Sequence, residues 1–84
     1  QVFPLASGGV IGRDPSSIIA LAGDNNVSRR HAEIQTSGGQ VTITDNGSAN
    51  GTFVNGVRIP ERTPQPLRPN DEVTIGNTRF RYEA

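Results

Sequence analysis

The sequence predicts an all-β domain, a sandwich or barrel of many short strands, and three observations carry that expectation. Short β-type runs recur at near-regular spacing along the 84 residues, separated by Gly, Pro and Asn turns. Apolar residues alternate cleanly in Val41-Thr42-Ile43-Thr44 and in Val73-Thr74-Ile75, so each set shares one face, as in a half-buried antiparallel strand. No helical period competes. The best helical candidate, "SSIIALA" at 16–22, is too short to stand alone and is hemmed in by Pro15 and Gly23.

In chain order the runs begin with "QVFPL" at 1–5, "GVIGR" at 9–13 and "SIIAL" at 17–21. "HAEIQT" at 31–36 and "QVTITD" at 40–45 follow, separated by Gly38-Gly39. "GTFVN" at 51–55 and "VRIP" at 57–60 meet at Asn55-Gly56, the strongest short-range signal for a two-residue hairpin turn. "DEVTIG" at 71–76 comes after Pro69-Asn70, and "TRFRYE" at 78–83 follows Gly76-Asn77. One region fits no strand: "GDNNVSRRH" at 23–31 is polar and bent before a strand begins, which makes it a candidate functional loop. The stretch "NGSANGTFVNG" at 46–56 holds three Asn-Gly pairs. Asn46-Gly47 and Asn55-Gly56 read as turn chemistry. Asn50-Gly51 lies too close to its neighbours to close a hairpin of its own, so its Asn sits on a sharply bent, exposed loop and needs another role.

Length implies a single domain over 1–84, and the missing initiator Met makes it read as a piece of something longer. At this size folding buries only about 60% of the chain's surface, which leaves little for a deep active-site cavity. Net charge is zero, so no global field draws nucleic acid or a membrane, and charge-based recognition must be local. All eight basic residues are Arg, whose planar fork suits carboxylate and phosphate, although codon usage accounts for such a bias equally well. Cys is absent, which excludes disulfides and thiolate metal sites. No apolar run approaches the roughly 20 residues of a membrane span, no secretory signal is present, and the expected compartment is the cytoplasm.

The inventory for catalysis is thin. Ser28 lies three residues before His31, the single His of the chain, but nothing around them supplies a strained nucleophile turn or an oxyanion hole. "GGVIGR" has the wrong glycine spacing for a nucleotide loop, and no Gly-Lys-Ser/Thr follows. One His and scattered carboxylates lack metal-ligand spacing. Tyr82 and the Phe residues form no stacking platform for nucleic acid. The expectation is no enzyme, no metal and no cofactor.

Three segments stand out: "IGRDP" at 11–15, "VSRRHAEI" at 27–34 and "DNGSANGTFVNG" at 45–56. Their order and spacing resemble the forkhead-associated (FHA) domain, through Gly12-Arg13, Ser28-x-x-His31 and Ser48-x-Asn50-Gly51-Thr52, with Asn55-Gly56 after them. The resemblance continues through "PLRPNDEVTIGNTRFRYE" and covers nearly the whole chain. It implies an antiparallel β-sandwich of about ten to eleven short strands with ligand loops at one end. It also implies a phosphothreonine-peptide reader in Ser/Thr kinase signalling. The family's first strand lies upstream of Gln1 or is missing, which would leave an edge bare beside 78–83. A monomer is expected, with an edge-mediated dimer if that strand is absent. The alternative function is a phosphate-independent interaction scaffold with the same fold.

What the resemblance implies for the site is specific. Arg13 grips the phosphate through its fork. Ser28 donates its hydroxyl to phosphate, and Arg29 contacts phosphate or peptide backbone. Asn50 holds the ligand's main chain with its amide, which donates and accepts at once. Ala49 stands where the family often has a Thr that adds a hydrogen bond, which weakens the pocket. Gly12 permits close packing beside Arg13, Gly51 permits the bend that exposes Asn50, and His31, with Thr52 after the loop, supports the loops from beneath.

Overall fold

The computed structural model describes residues 8–82. Within them the chain forms β1 (Gly9–Gly12), β2 (Ile19–Ala20), β3 (Ala32–Ser37), β4 (Gln40–Asp45), β5 (Thr52–Val54), β6 (Val57–Arg58), β7 (Gln65–Leu67), β8 (Glu72–Ile75) and β9 (Thr78–Arg81). The order β2-β1-β3-β4-β7 makes a five-stranded sheet, and β6-β5-β8-β9 makes a four-stranded one. This is the expected all-β sandwich, with nine strands among the described residues, near the predicted number. The run at 1–5 and the end of the last run, Glu83, lie outside the described residues, as does any strand that would cover the edge beside 78–83.

Turn chemistry sets the register. β3 and β4 pair from Ala32↔Asp45 to Ser37↔Gln40, across Gly38 at φ 57° and Gly39 at φ 81°. Two successive positive φ values match the twist of a two-residue hairpin. Asn55 at φ 52° and Gly56 at φ 82° close β5 onto β6 in the same way. Alternation then points Val41, Ile43 and Asp45 of β4 inward and leaves Thr42 and Thr44 less buried on the other face. Ile11, Ile34 and Ile43 from one sheet meet Val73, Ile75 and Phe80 from the other in one apolar cluster. Each such side chain contributes about 1.5–3 kcal/mol when fully buried.

Two features depart from the sequence pattern. β7 falls in "TPQPL", where two Pro residues mask the strand signal, yet it pairs antiparallel with β4 through Val41↔Leu67 and Ile43↔Gln65. It is an edge strand, where a Pro without an N–H is tolerated, and Leu67 still buries into the core. β1 and β2 run parallel, Ile11↔Ile19 and Gly12↔Ala20, whereas the other strand pairs are antiparallel. The chain turns at Asp14, whose carbonyl accepts the N–H of Ser17. It then returns beside β1, with the N–H of Ile18 donating to Val10 and that of Leu21 to Gly12.

Candidate functional site

Antiparallel pairing brings the end of β1, the start of β3 and the end of β4 to one edge of the sandwich through Ile11↔Ala32 and Ala32↔Asp45. Three loops therefore converge there: 13–18, 21–31 and 46–51. The first two are in backbone contact. The N–H groups of Arg13 and Asp14 donate to the carbonyls of Ser28 and Arg29, at 3.1 and 3.2 Å. Gly12 lies directly under that crossing, and a Cβ on it would overlap the Arg29 carbonyl and stand 3.0 Å from the Ser28 oxygen. Only a residue without a side chain lets the 21–31 loop pass so close.

The 21–31 loop is anchored at three points. Val27 is buried to 2% exposure in the core. Asp24 accepts from the N–H of Asn26 at 3.0 Å, the N–H of Asn77 at 2.7 Å and the hydroxyl of Thr78 at 2.9 Å. Burial raises the Asp24 pKa, but the N–H groups of Asn26 and Asn77 and the Thr78 hydroxyl outweigh it and hold that carboxyl below its ordinary range. His31, fully buried, is the third anchor. Its Nδ1 accepts the N–H of Ser28 at 3.1 Å, so Nε2 carries the proton and donates to the Gly51 carbonyl at 2.8 Å. One imidazole thus bridges the 21–31 and 46–51 loops.

Asp45 organises the 46–51 loop from inside. At 1% exposure it accepts from the N–H groups of Gly47 (3.0 Å) and Ser48 (3.1 Å) and from the hydroxyls of Ser48 (2.5 Å) and Thr52 (2.7 Å). Burial alone would raise its pKa, but these hydrogen bonds, the Ser48 and Thr52 hydroxyls foremost, hold it below the usual carboxylate value. Ser48 Oγ in turn accepts the N–H of Gly51 at 3.0 Å, and Gly51 takes φ 86°. The bend that exposes Asn50 is built from this cluster.

What reaches the surface is a set of incompletely used donors. Ser28 Oγ accepts the N–H of Ala49 at 3.2 Å, and its hydroxyl proton has no acceptor among the described residues. Asn50 donates one amide hydrogen to the Asn26 carbonyl at 2.9 Å, and its other hydrogen and its oxygen are uncommitted there. The Arg13 guanidinium forms no hydrogen bond or ion pair with a described residue. Exposed Arg29 rests on Asp14 at 3.4 Å. Arg13, Asp14, Pro15, Ala22 and Arg29 line a shallow depression beside them. The N–H and hydroxyl of Ser16, then Arg29, hold the Asp14 carboxyl below its ordinary value.

The predicted site residues Gly12, Arg13, Ser28, Arg29, His31, Ala49, Asn50, Gly51 and Thr52 gather at this end of the sandwich, whereas Asn55-Gly56 closes its hairpin at the other end of β5. Asp24, and the buried roles of Asp45 and of the motif residue Ser48, are not among the expectations drawn from the sequence. Asp45-x-x-Ser48 and Asp24-x-Asn26 are local Asx-turn spacings, open to a sequence reading. The bond from Asp24 to Asn77 spans 53 positions and leaves no local trace.

Comparison with known proteins gives a consistent picture. The FHA domain family model matches residues 9–76. An oxoglutarate dehydrogenase inhibitor of Corynebacterium efficiens is 47% identical over 73 residues, 87% of this chain and 49% of that protein. The glycogen accumulation regulator GarA of Mycolicibacterium smegmatis is 46% identical over 69 residues, 82% of this chain and 41% of that one. The chain spans about half the length of the curated relatives it matches. Among solved structures, one from a study of phosphothreonine-dependent FHA domain interactions superposes with a TM-score of 0.82 at 30% identity, covering 92% of this chain and 76% of that one. Mycobacterium tuberculosis EmbR in complex with a low-affinity phosphopeptide gives 0.83 at 35% identity, covering 93% and 20%.

Proposed function

Since the chain belongs to the FHA domain family, we propose that it is a phosphothreonine-peptide binding module that mediates phosphorylation-dependent protein–protein interaction in Ser/Thr kinase signalling. The carrying observation is the state of Ser28. Its oxygen accepts the Ala49 N–H and its hydroxyl proton has no acceptor among the described residues, so it is available to donate, on the same loop whose backbone holds Arg13. A phosphate monoester offers three strong acceptor oxygens and about −1.5 to −2 charges at pH 7, and the uncommitted donors of this end suit it.

In this reading Arg13 takes the phosphate with a two-pronged, charge-assisted contact, and Ser28 adds its hydroxyl. Arg29 exchanges Asp14 for phosphate as the ligand arrives. Asn50 holds the peptide main chain with the oxygen and the hydrogen that Asn26 leaves free. Ala49 brings no hydroxyl, so the phosphate has fewer side-chain donors than a Thr there would give. Gly12, His31, Gly51 and Thr52 keep the three loops in register.

The module acts by binding and not by catalysis, in keeping with relatives named as an inhibitor and a regulator. It works as one domain and as a monomer in the cytoplasm, within a longer protein. Titration with one peptide in phosphothreonine, phosphoserine and unmodified forms tests this. Binding of the phosphothreonine form alone is expected. Equal affinity for the unmodified peptide would overturn the reading in favour of phosphate-independent association.

A further inference from the structure

Cross-strand register on the four-stranded sheet sets one row of side chains on its outer face. Arg58 pairs with Phe53, Phe53 with Thr74, and Thr74 with Arg79, so the row runs Arg58–Phe53–Thr74–Arg79 from edge to edge. Directly paired residues share a face. Their inward neighbours Thr52, Val54, Val73, Ile75 and Phe80 are buried, whereas Arg58 and Arg79 are exposed and Phe53 is half-buried. Arg81 lies on the same face, opposite Glu72. Arg58, Arg79 and Arg81 form no hydrogen bond or ion pair with a described residue. The outer face of the five-stranded sheet differs, with Glu33 among Gln35, Thr42 and Thr44. A chain of zero net charge thus carries a locally basic face around an aromatic ring.

That face adjoins the ligand loops. The guanidinium of Arg58 lies over Gly51, so close that a Cβ there would stand 2.6 Å from its Nε and 2.9 Å from its Cζ. Gly51 follows Asn50, the residue that takes the peptide main chain in the function proposed above. A peptide leaving Asn50 on this side meets Arg58 first. We propose that the outer face of the four-stranded sheet is a second contact surface of the same module. It is entered at Arg58 and takes an acidic segment of the phosphorylated partner next to its phosphothreonine. The inference rests on the phosphothreonine reading. Strands lie about 4.8 Å apart, so Arg58 to Arg79 spans roughly 14 Å, which an extended segment of about four residues covers. Arginine forks suit carboxylates, and Phe53 gives the peptide stem an apolar seat. A single half-buried ring and a net charge of zero suit an acidic peptide better than nucleic acid.

The test uses a minimal phosphothreonine peptide and versions extended on either side by about four Asp/Glu residues or by Gly/Ser of equal length. Affinities are measured by calorimetry at low and high salt. On one side the acidic extension should bind about three- to tenfold more tightly than the neutral one, with the gain shrinking at high salt. Arg58→Gln and Arg79→Gln should each reduce that gain. Arg79→Gln should leave the minimal peptide's affinity and the melting temperature unchanged, since its side chain holds no described partner. If the minimal peptide binds but neither acidic extension gains, or the gain survives in the double variant, the surface is wrong and the phosphothreonine reading stands. If the minimal phosphopeptide does not bind, both fall. A single-stranded oligonucleotide that competes for Arg79 more strongly than the acidic extension would also overturn the assignment.

Discussion

Replacing Asp45 with Ala should unfold the ligand end of the sandwich from within. The carboxylate accepts four hydrogen bonds, and three of the donors are the N–H and hydroxyl of Ser48 and the hydroxyl of Thr52, in residues exposed by 5% and 0%. Each buried donor left without an acceptor costs about 1–3 kcal/mol, and local relaxation with water entry recovers part of that, for a net loss of about 3–5 kcal/mol. At about 4–8 °C per kcal/mol for a domain of this size, the melting temperature should fall by at least about 12 °C. Acid gives an independent check. The folded carboxyl sits below its ordinary pKa, so its contribution is complete above the usual carboxylate range and is lost as pH falls through the folded value. The stability gap between wild type and variant should therefore narrow below about pH 4. Thermal and urea denaturation from neutral to acid pH measures both quantities. A drop of less than about 4 °C, or a gap that stays constant with pH, would refute the role assigned to this cluster.

Arg13→Ala should weaken phosphopeptide binding by about 2–5 kcal/mol while the melting temperature stays within a few degrees, because its guanidinium holds no described partner; calorimetry and thermal melts together check this. His31→Ala removes the bonds to Ser28 and Gly51, and should lower stability by about 1–3 kcal/mol and affinity as a consequence. Intact stability with no binding would mean that His31 touches ligand directly. Gly12→Ala pushes a methyl into the Arg29 carbonyl, so the 21–31 loop must shift. Amide shifts in NMR spectra should change at Ser28 and Arg29, and phosphopeptide affinity should fall.

The strands that alternate, or that end in Gly-Gly or Asn-Gly, were legible because each signal is local: Val41 and Ile43 share a face in any β4, and Asn55-Gly56 closes β5 onto β6 wherever it stands. β7 was not, because Pro66 suppresses the strand signal and only its place at a sheet edge makes it acceptable. The parallel pairing of β1 with β2 depends on how 13–18 returns, which no periodicity encodes. At the site, Arg13, Ser28 and Asn50 stood out through the spacing of three motifs. The carboxylates beneath them did not. Asp24 reaches Asn77 across the molecule, and the buried service of Asp45 becomes visible only when β4 is seen to end facing inward.

The hydrogen bonds around Asn50 also bear on how the protein ages. An Asn followed by Gly is chemically perishable, because the Gly nitrogen can attack the side-chain carbonyl carbon. The ring that closes expels ammonia, and water reopens it to aspartate or isoaspartate. Such damage at Asn50 would replace an amide that can donate and accept with a carboxylate that only accepts, where the peptide main chain is to be held. Here the Gly51 nitrogen is tied to Ser48 Oγ and the Asn50 amide to the Asn26 carbonyl, so the attacking geometry is withheld. Asn55 is tethered at both ends of its amide, to Asp71 and to the Glu72 N–H. The Gly47 nitrogen is likewise held, by Asp45, but the Asn46 side chain has no tether among the described residues. Peptide mapping of protein stored for weeks should therefore find isoaspartate first at Asn46, and damage first at Asn50 would show that the loop is not held this way in solution. The restraint that presents Asn50 to a ligand would then also set the working lifetime of the site.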